Sequence, residues 1–319
     1  MAAISKSSSN GRLPRSGSKM DMALNELNEK DTLDYRVQAH RDDGEVLSLW
    51  HDVPLTSEEV PGALHFICEI PRCSRKKYEI ATDEAGTPIK QDEKKGKLRE
   101  FKKGDILFNY GCFPRTWEDP DFIHPDLREE GVGGDNDPLD VCEIGLRICE
   151  VGEVRAVKVL GVLCMIDDGE ADWKVVVIDA ADPWAPLLND IEDVDIHLPN
   201  ILHNIREWFR TYKIPDGKPP NVFGLQERFM NASYAMNVVS ETHDAWKELV
   251  ISKNGEKLKH NLSVPDNLKN RLDDMDIQRD TGMVKKLSSN SLAALDEASS
   301  NPAVMLGAGA AGDDEAPSF

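Results

Sequence analysis

The sequence predicts an α+β fold, mainly β. Short runs rich in Val and Ile, bounded by Gly, Pro or Asp, fill the chain up to about residue 180, and stretches of helical apolar spacing follow only after residue 200. Strands first and helices after, without regular alternation, favour an antiparallel sheet or barrel over a doubly wound parallel sheet. The 319 residues allow one large domain with tails or two small domains, and 40% hydrophobic residues suffice for a real core.

The first 20 residues hold six serines, the basic Lys6, Arg12, Arg15 and Lys19, and no acid, so they are not core. Such an acid-poor, Ser- and Arg-containing start has features of an organelle transit segment, but it lacks an apolar helical face and equally suits a disordered cytosolic extension. Strands are predicted at Leu64 to Arg72, Val154 to Ile166 and Trp173 to Ala180. Ile201, Leu202, Ile205, Trp208, Phe209 and Tyr212 share one helical face, and Ala235, Val238, Val239, Thr242, Trp246 and Leu249 share another, predicting two amphipathic helices. From Leu287 onward the chain mixes Ala, Gly and Ser with little periodicity and reads as a flexible tail.

Charge narrows the function classes. With 38 basic against 58 acidic side chains the net charge is −20, which argues against nucleic acid or an anionic membrane surface as the main ligand. The longest apolar run, Val159 to Ile166, has eight residues, whereas a spanning helix needs about 20. The six cysteines (Cys68, Cys73, Cys112, Cys142, Cys149 and Cys164) contain no CxxC pair and are expected to be reduced and mostly buried.

Two acidic runs carry the chemistry. GDNDPLD places Asp135, Asp137 and Asp140 within six residues, and MIDDGEADWK places Asp167, Asp168, Glu170 and Asp172 at the end of an apolar strand, with Lys174 behind. Carboxylates crowded into a folded site repel unless protons, basic groups or a divalent cation compensate, and oxygen ligands suit Mg²⁺ or Mn²⁺. The bland alternative for both is a solvated turn, Asp-Gly being a hairpin signal. Neither is an EF-hand, because Asp140 stands where that loop needs Gly and Leu146 where it needs Glu.

Basic side chains are scarce, so their positions inform. Lys77 lies two residues before Glu79, which puts both on one face of a strand; KKGKLR supplies Arg99; and Tyr212, Lys213 and Lys218 close the first helix. Cations and Tyr hydroxyls beside metal-binding acids suit a polyanionic phosphate substrate. The chain has no P-loop, no dinucleotide fingerprint, no HExxH and no GxSxG. What remains is metal-assisted attack of water on phosphorus.

The blocks LDYRV, WHDVPL, CEIPR, KKGKLR, NYGCFPRTWEDP, GDNDPLDVCEIG, DDGEADWKV, LNDIEDV, EWFRTYKIPDGKP and ETHDAWKEL, in that order from Leu33 to Leu249, resemble the soluble inorganic pyrophosphatases of the first family, eukaryotic branch. The resemblance implies an OB-like five-stranded β-barrel core with flanking helices and extended tails. Its boundaries are an extension over 1–24, a catalytic domain over 25–262 and a largely flexible C-terminal extension over 263–319. The implied reaction is Mg²⁺-dependent hydrolysis of diphosphate to two orthophosphates, with Mn²⁺ or other divalent ions as substitutes.

Position by position, the resemblance makes Asp135, Asp140 and Asp172 ligands of a first metal, with Asp140 bridging to a second. Asp137 matches the general base. Asp167 with Asp172, and Glu79 from the other side, match sites of metals arriving with substrate. Lys77, Arg99, Tyr110, Lys174, Tyr212 and Lys213 match phosphate-binding residues, and Lys77, Arg99 and Tyr110 act beside Asp137 in catalysis; Lys218 and Glu69 match more peripheral positions. Two departures stand out: Ile106 replaces a second active-site tyrosine after a shortened loop, and Cys73 replaces an interface tryptophan. The implied assembly is therefore a homodimer with an altered interface, without nucleic acid or membrane, in the cytoplasm, or in a mitochondrion or plastid if residues 1–20 direct import. The alternative reading is a non-catalytic OB-like scaffold subunit, whose mark would be loss of these acids and bases.

Overall fold

The computed structural model describes residues 22–252 and 285–286. The expected extension over 1–24 lies outside them except for its last three residues, which open a strand, and the expected tail over 263–319 lies outside except for Lys285 and Lys286. In chain order the first strands are β1 (Met22–Leu27), β2 (Arg36–Arg41), β3 (Val46–Leu47), β4 (Leu64–Ile70), β5 (Tyr78–Ile80), β6 (Ile89–Gln91), β7 (Asn109–Cys112) and β8 (Asp140–Glu143). The long pair β9 (Val154–Asp167) and β10 (Glu170–Asp179) follows, then α1 (Ile191–His197), α2 (Ile201–Thr211), β11 (Val222–Phe223), β12 (Phe229–Asn231) and α3 (Ala232–Ser252).

β10, β8, β7, β4 and β9 pair in that order, and β9 pairs back onto β10, so five strands close into a barrel of the expected OB-like kind. Only the β10–β8 junction is parallel; the other four are antiparallel. Closure satisfies both edges of every barrel strand. β9 has 14 residues, enough for Leu64 to Ile67 of β4 to pair with its first half while β11 and β12 pair with its second. A separate antiparallel sheet runs β1-β2-β6-β5, with β3 on β2.

The barrel wall is buried on both faces. Val175 and Val177 of β10 join Phe66, Val141 and Val162 in a core completed by Val238 and Val239 of α3. Val176 and Ile178 face the other way, into a core shared with Ile67, Cys142, Leu163 and the Ile205, Trp208 and Phe209 stripe of α2. A strand covered on both sides reads as a continuous apolar run, which is why the β9 and β10 sequences show no alternation. The β9–β10 hairpin turns at Asp168 and Gly169, with φ of 51° and 96°, the left-handed pair that a two-residue turn demands. α1 is short, and a reciprocal capping box between Asp190 and Asp193 starts it. Five of the six cysteines are buried, Cys73 is exposed, and none is bridged. No helix among the described residues is long and apolar enough to cross a membrane.

Candidate active site

The two acidic runs meet because their strands are neighbours. Lys174 of β10 pairs in register with Asp140 of β8, and Asp140 pairs with Cys112 of β7, so Tyr110, Asp140, Asp172 and Lys174 project from one face of three adjacent strands. The same loop that leads into β8 adds Asp135 and Asp137, the end of β9 adds Asp167, and β5 brings Glu79 with Lys77 just before it. α2 ends against the opposite wall with Tyr212. Together they line a cavity of about 310 Å³.

Acids and bases are paired across this cavity. Lys174, almost wholly buried, donates to Asp140, to Asp172 and to the Tyr110 hydroxyl at 3.0 Å. Tyr110 in turn donates to Asp140. Lys77 donates to Glu79 at 2.7 Å and to Asp92 at 2.9 Å, and Arg99 also donates to Asp92. Lys213 donates to Asp167, which accepts from the Tyr212 hydroxyl at 3.2 Å as well. Lys218 is further out, on Asp168. Lys213 and Lys218 therefore sit at the rim through their acidic partners, Arg99 stands one step further back through the Asp92 that Lys77 also holds, and Lys77, Lys174, Tyr110 and Tyr212 form the wall. Tyr212 is also the last apolar position of its helix, its ring stacked on Trp208 at 5.2 Å, so one residue serves packing and site together.

Burial sets the electrostatics. Asp172 is pushed up to about 8 by loss of solvent, with the Asp140 charge adding to that and Lys174 opposing it. Asp135 is raised well above the carboxylate range by burial and the neighbouring acids Asp172 and Asp137. Asp137 opens onto the cavity, yet loss of solvent to the surrounding protein and then the Glu79 charge push it up to about 7. Burial alone would lower Lys174 and Lys77, but the flanking carboxylates overcome it and hold both ammonium groups charged. Tyr110 stays a phenol, raised by burial and by Asp140.

One site residue escaped the sequence reading. Glu118, in the RTWEDP stretch, is 2% exposed, and carboxylate oxygens of Glu118, Asp135 and Asp172 lie within 4.8 Å of one another. Its Oε1 accepts from the Trp173 amide at 3.1 Å, while its Oε2 is buried with no hydrogen-bond partner among the described residues. Such an oxygen is costly to leave unmatched. Three converging carboxylates with a spare buried oxygen fit a hard divalent cation. Gly134 makes the approach: a Cβ there would sit 2.4 Å from the Glu118 carbonyl carbon. The only signal in the sequence was an acid directly after a tryptophan.

Glu69 is buried where β4 shifts register against β7, and its carboxylate caps the Ile80 amide at 2.7 Å. Ile106 packs into the apolar core and lines the cavity, so the wall there carries no hydroxyl. Cys73 is exposed at a left-handed φ of 66°.

Residues 66–247 match the inorganic pyrophosphatase family. An inorganic pyrophosphatase of Eremothecium gossypii is 48% identical over 248 residues, 76% of this chain and 85% of the relative. The soluble inorganic pyrophosphatase 1, chloroplastic, of Chlamydomonas reinhardtii is 51% identical over 227 residues, 71% of this chain and 79% of that one. Among solved structures, an N-terminally truncated vacuolar soluble pyrophosphatase of Trypanosoma cruzi in complex with PPi superposes with a TM-score of 0.67 at 42% identity, covering 78% of this chain and 99% of that one.

Proposed function

The chain belongs to the inorganic pyrophosphatase family and hydrolyses diphosphate, and from that premise we propose that Asp137 is the proton acceptor and that Asp135, Asp140, Asp172 and Glu118 surround the first divalent ion. The observation that carries this is the convergence of Glu118 on Asp135 and Asp172, two acids that line one cavity with Lys77, Lys174, Tyr110 and Tyr212. Mg²⁺ bound by these acids supplies charge neutralisation at phosphate oxygens and lowers the pKa of a coordinated water.

The protein groups do the rest. Asp137 has one face open to the cavity and a proton affinity raised toward neutrality, which suits a general base at physiological pH. Lys77, Arg99, Lys213 and the tyrosine hydroxyls hold the two phosphoryl groups, and their donors stabilise the charge that builds on the departing orthophosphate. Asp167 and Glu79, each already bonded to a lysine, stand where further metals accompany the substrate. A non-catalytic scaffold reading is not favoured, since every acid and base carried over except the one tyrosine is present.

Orthophosphate release from diphosphate, with Mg²⁺, Mn²⁺ or EDTA and with ATP as a parallel substrate, tests the assignment. Rapid release from diphosphate that stops in EDTA is expected. Release insensitive to EDTA would sink the metal assignment.

We further propose a homodimer built on the face that carries Cys73. Leu107, Leu146 and Ile148 are large apolar side chains left exposed there, and Arg72 ties the Leu146 carbonyl to the CEIPR turn. Exposed apolar groups gathered on one face mark an association surface. Sedimentation of Leu146→Asp should give monomer; an unchanged mass would place the contact elsewhere. The compartment we propose is the cytosol; sequencing the mature N-terminus tests it, an uncleaved end being the expected result and cleavage near Met22 indicating import instead.

A further inference from the structure

We propose that the C-terminal segment around Lys285 docks into a second cavity, on the side of the acidic loop away from the substrate. This cavity, about 280 Å³, has an aromatic floor that includes Trp117, Phe122 and Trp173, and a rim that includes Glu241, Asp244 and Glu248 of α3. Those acids are spaced i, i+3 and i+7 and so share one helix face. No Lys or Arg lines the cavity among the described residues; His124 in the lining places its Nε2 3.5 Å from Glu241, and Asp244 and Glu248 have no cation from within. The volume lies just under the range of about 300–1,000 Å³ usual for small-molecule sites, and better fits a few apolar side chains.

Lys285 reaches this rim. Its Nζ pairs with Asp244 Oδ2 at 2.8 Å, a contact between the C-terminal segment and the domain. The sequence around it reads Met283, Val284, Lys285, Lys286, Leu287: apolar residues on either side of two cations. That pattern complements an acidic rim around an aromatic floor, since the cations neutralise α3 while an apolar neighbour covers Phe122, which is 47% exposed. The connecting residues 253–284 are ample to return the chain to α3. The inner wall of the cavity is the backbone bridge between Gly134 and Ala171, whose neighbours Asp135 and Asp172 carry two of the site's carboxylates, so a seated segment would support the metal-binding loop from behind.

Hydrogen exchange on the full-length protein tests this. Lys285→Glu should speed exchange about threefold to tenfold in residues 117–124 and 238–248, as loss of a pair and gain of a repulsion at a local contact would. Leu287→Ser should act in the same direction, and Asp244→Lys combined with Lys285→Glu should restore protection. Unchanged exchange in both single variants, or no rescue by the charge swap, would overturn the proposal. Protection that rises with protein concentration would overturn it too, because the segment seated in the cavity would then belong to a second copy.

Discussion

Asp137 and Glu118 are both acids of one site, yet they differ in what they can do. Asp137 faces the cavity and can take a proton, while Glu118 is buried behind Asp135 and Asp172 with one oxygen bound to the Trp173 amide. Asp137→Asn should therefore fold normally and lose about 10²–10⁴-fold in turnover, since it keeps the shape and loses the acceptor; near-normal turnover would refute the base assignment. Glu118→Gln should leave substrate contacts intact and raise the Mg²⁺ midpoint about tenfold, the size expected when a group supporting metal ligands is neutralised. Tryptophan emission gives that midpoint without turnover, because Trp117 precedes Glu118 and Trp173 bonds to it, and a wild-type titration curve would remove Glu118 from the metal's surroundings. Asp137 could be read in the sequence because it stands in a dense acidic run. Glu118 could not, because what makes it a site residue is burial beside Gly134 from a different stretch of chain, and one-dimensional spacing carries no trace of that contact.

At the level of elements, the hairpin between β9 and β10 was visible in the sequence both as a turn signal and as an acidic cluster, and the two readings turn out to be one: Asp168 and Gly169 make the turn while Asp167 and Asp172 on its flanks face the cavity. β9, β10, α2 and α3 were legible because each is long and strongly patterned. The sheet of β1, β2, β5 and β6 was not, since β1 reads MALNEL with half its residues exposed and β5 and β6 have three residues each, too short for periodicity to register. α1 escaped for the same reason, its capping box being its clearest mark. Two glycines separate turn chemistry from close approach. Gly169→Ala meets open space and pays only for its positive φ, about 1 kcal/mol. Gly134→Ala would drive a Cβ into the Glu118 backbone and should cost about 2–3 kcal/mol, with weakened Mg²⁺ binding. Chemical denaturation ranks the two, and equal losses would mean that the loop carrying Asp135 yields freely.

Across the whole molecule, burying so many carboxylates couples stability to pH and to divalent ions. Asp172 is raised from the ordinary aspartate range to about 8, so its contribution to stability is fully present at low pH and is lost as pH rises through about 8. In EDTA the melting temperature should therefore fall between pH 6 and pH 9. Saturating Mg²⁺ should raise it, by the equivalent of about 2.7 kcal/mol at a hundredfold excess over Kd, and flatten the slope. Calorimetry across this range with and without Mg²⁺ checks both, and a melting temperature that climbs with pH in EDTA would contradict the burial of these acids. The ammonium groups of Lys77, Lys174 and Lys213 already hold Glu79, Asp140, Asp172 and Asp167. On the proposed assignment, cations taking over these carboxylates would loosen the lysines toward phosphoryl oxygens, so the site would work as an ion exchanger in which metal and diphosphate each tighten the other's binding by the same factor.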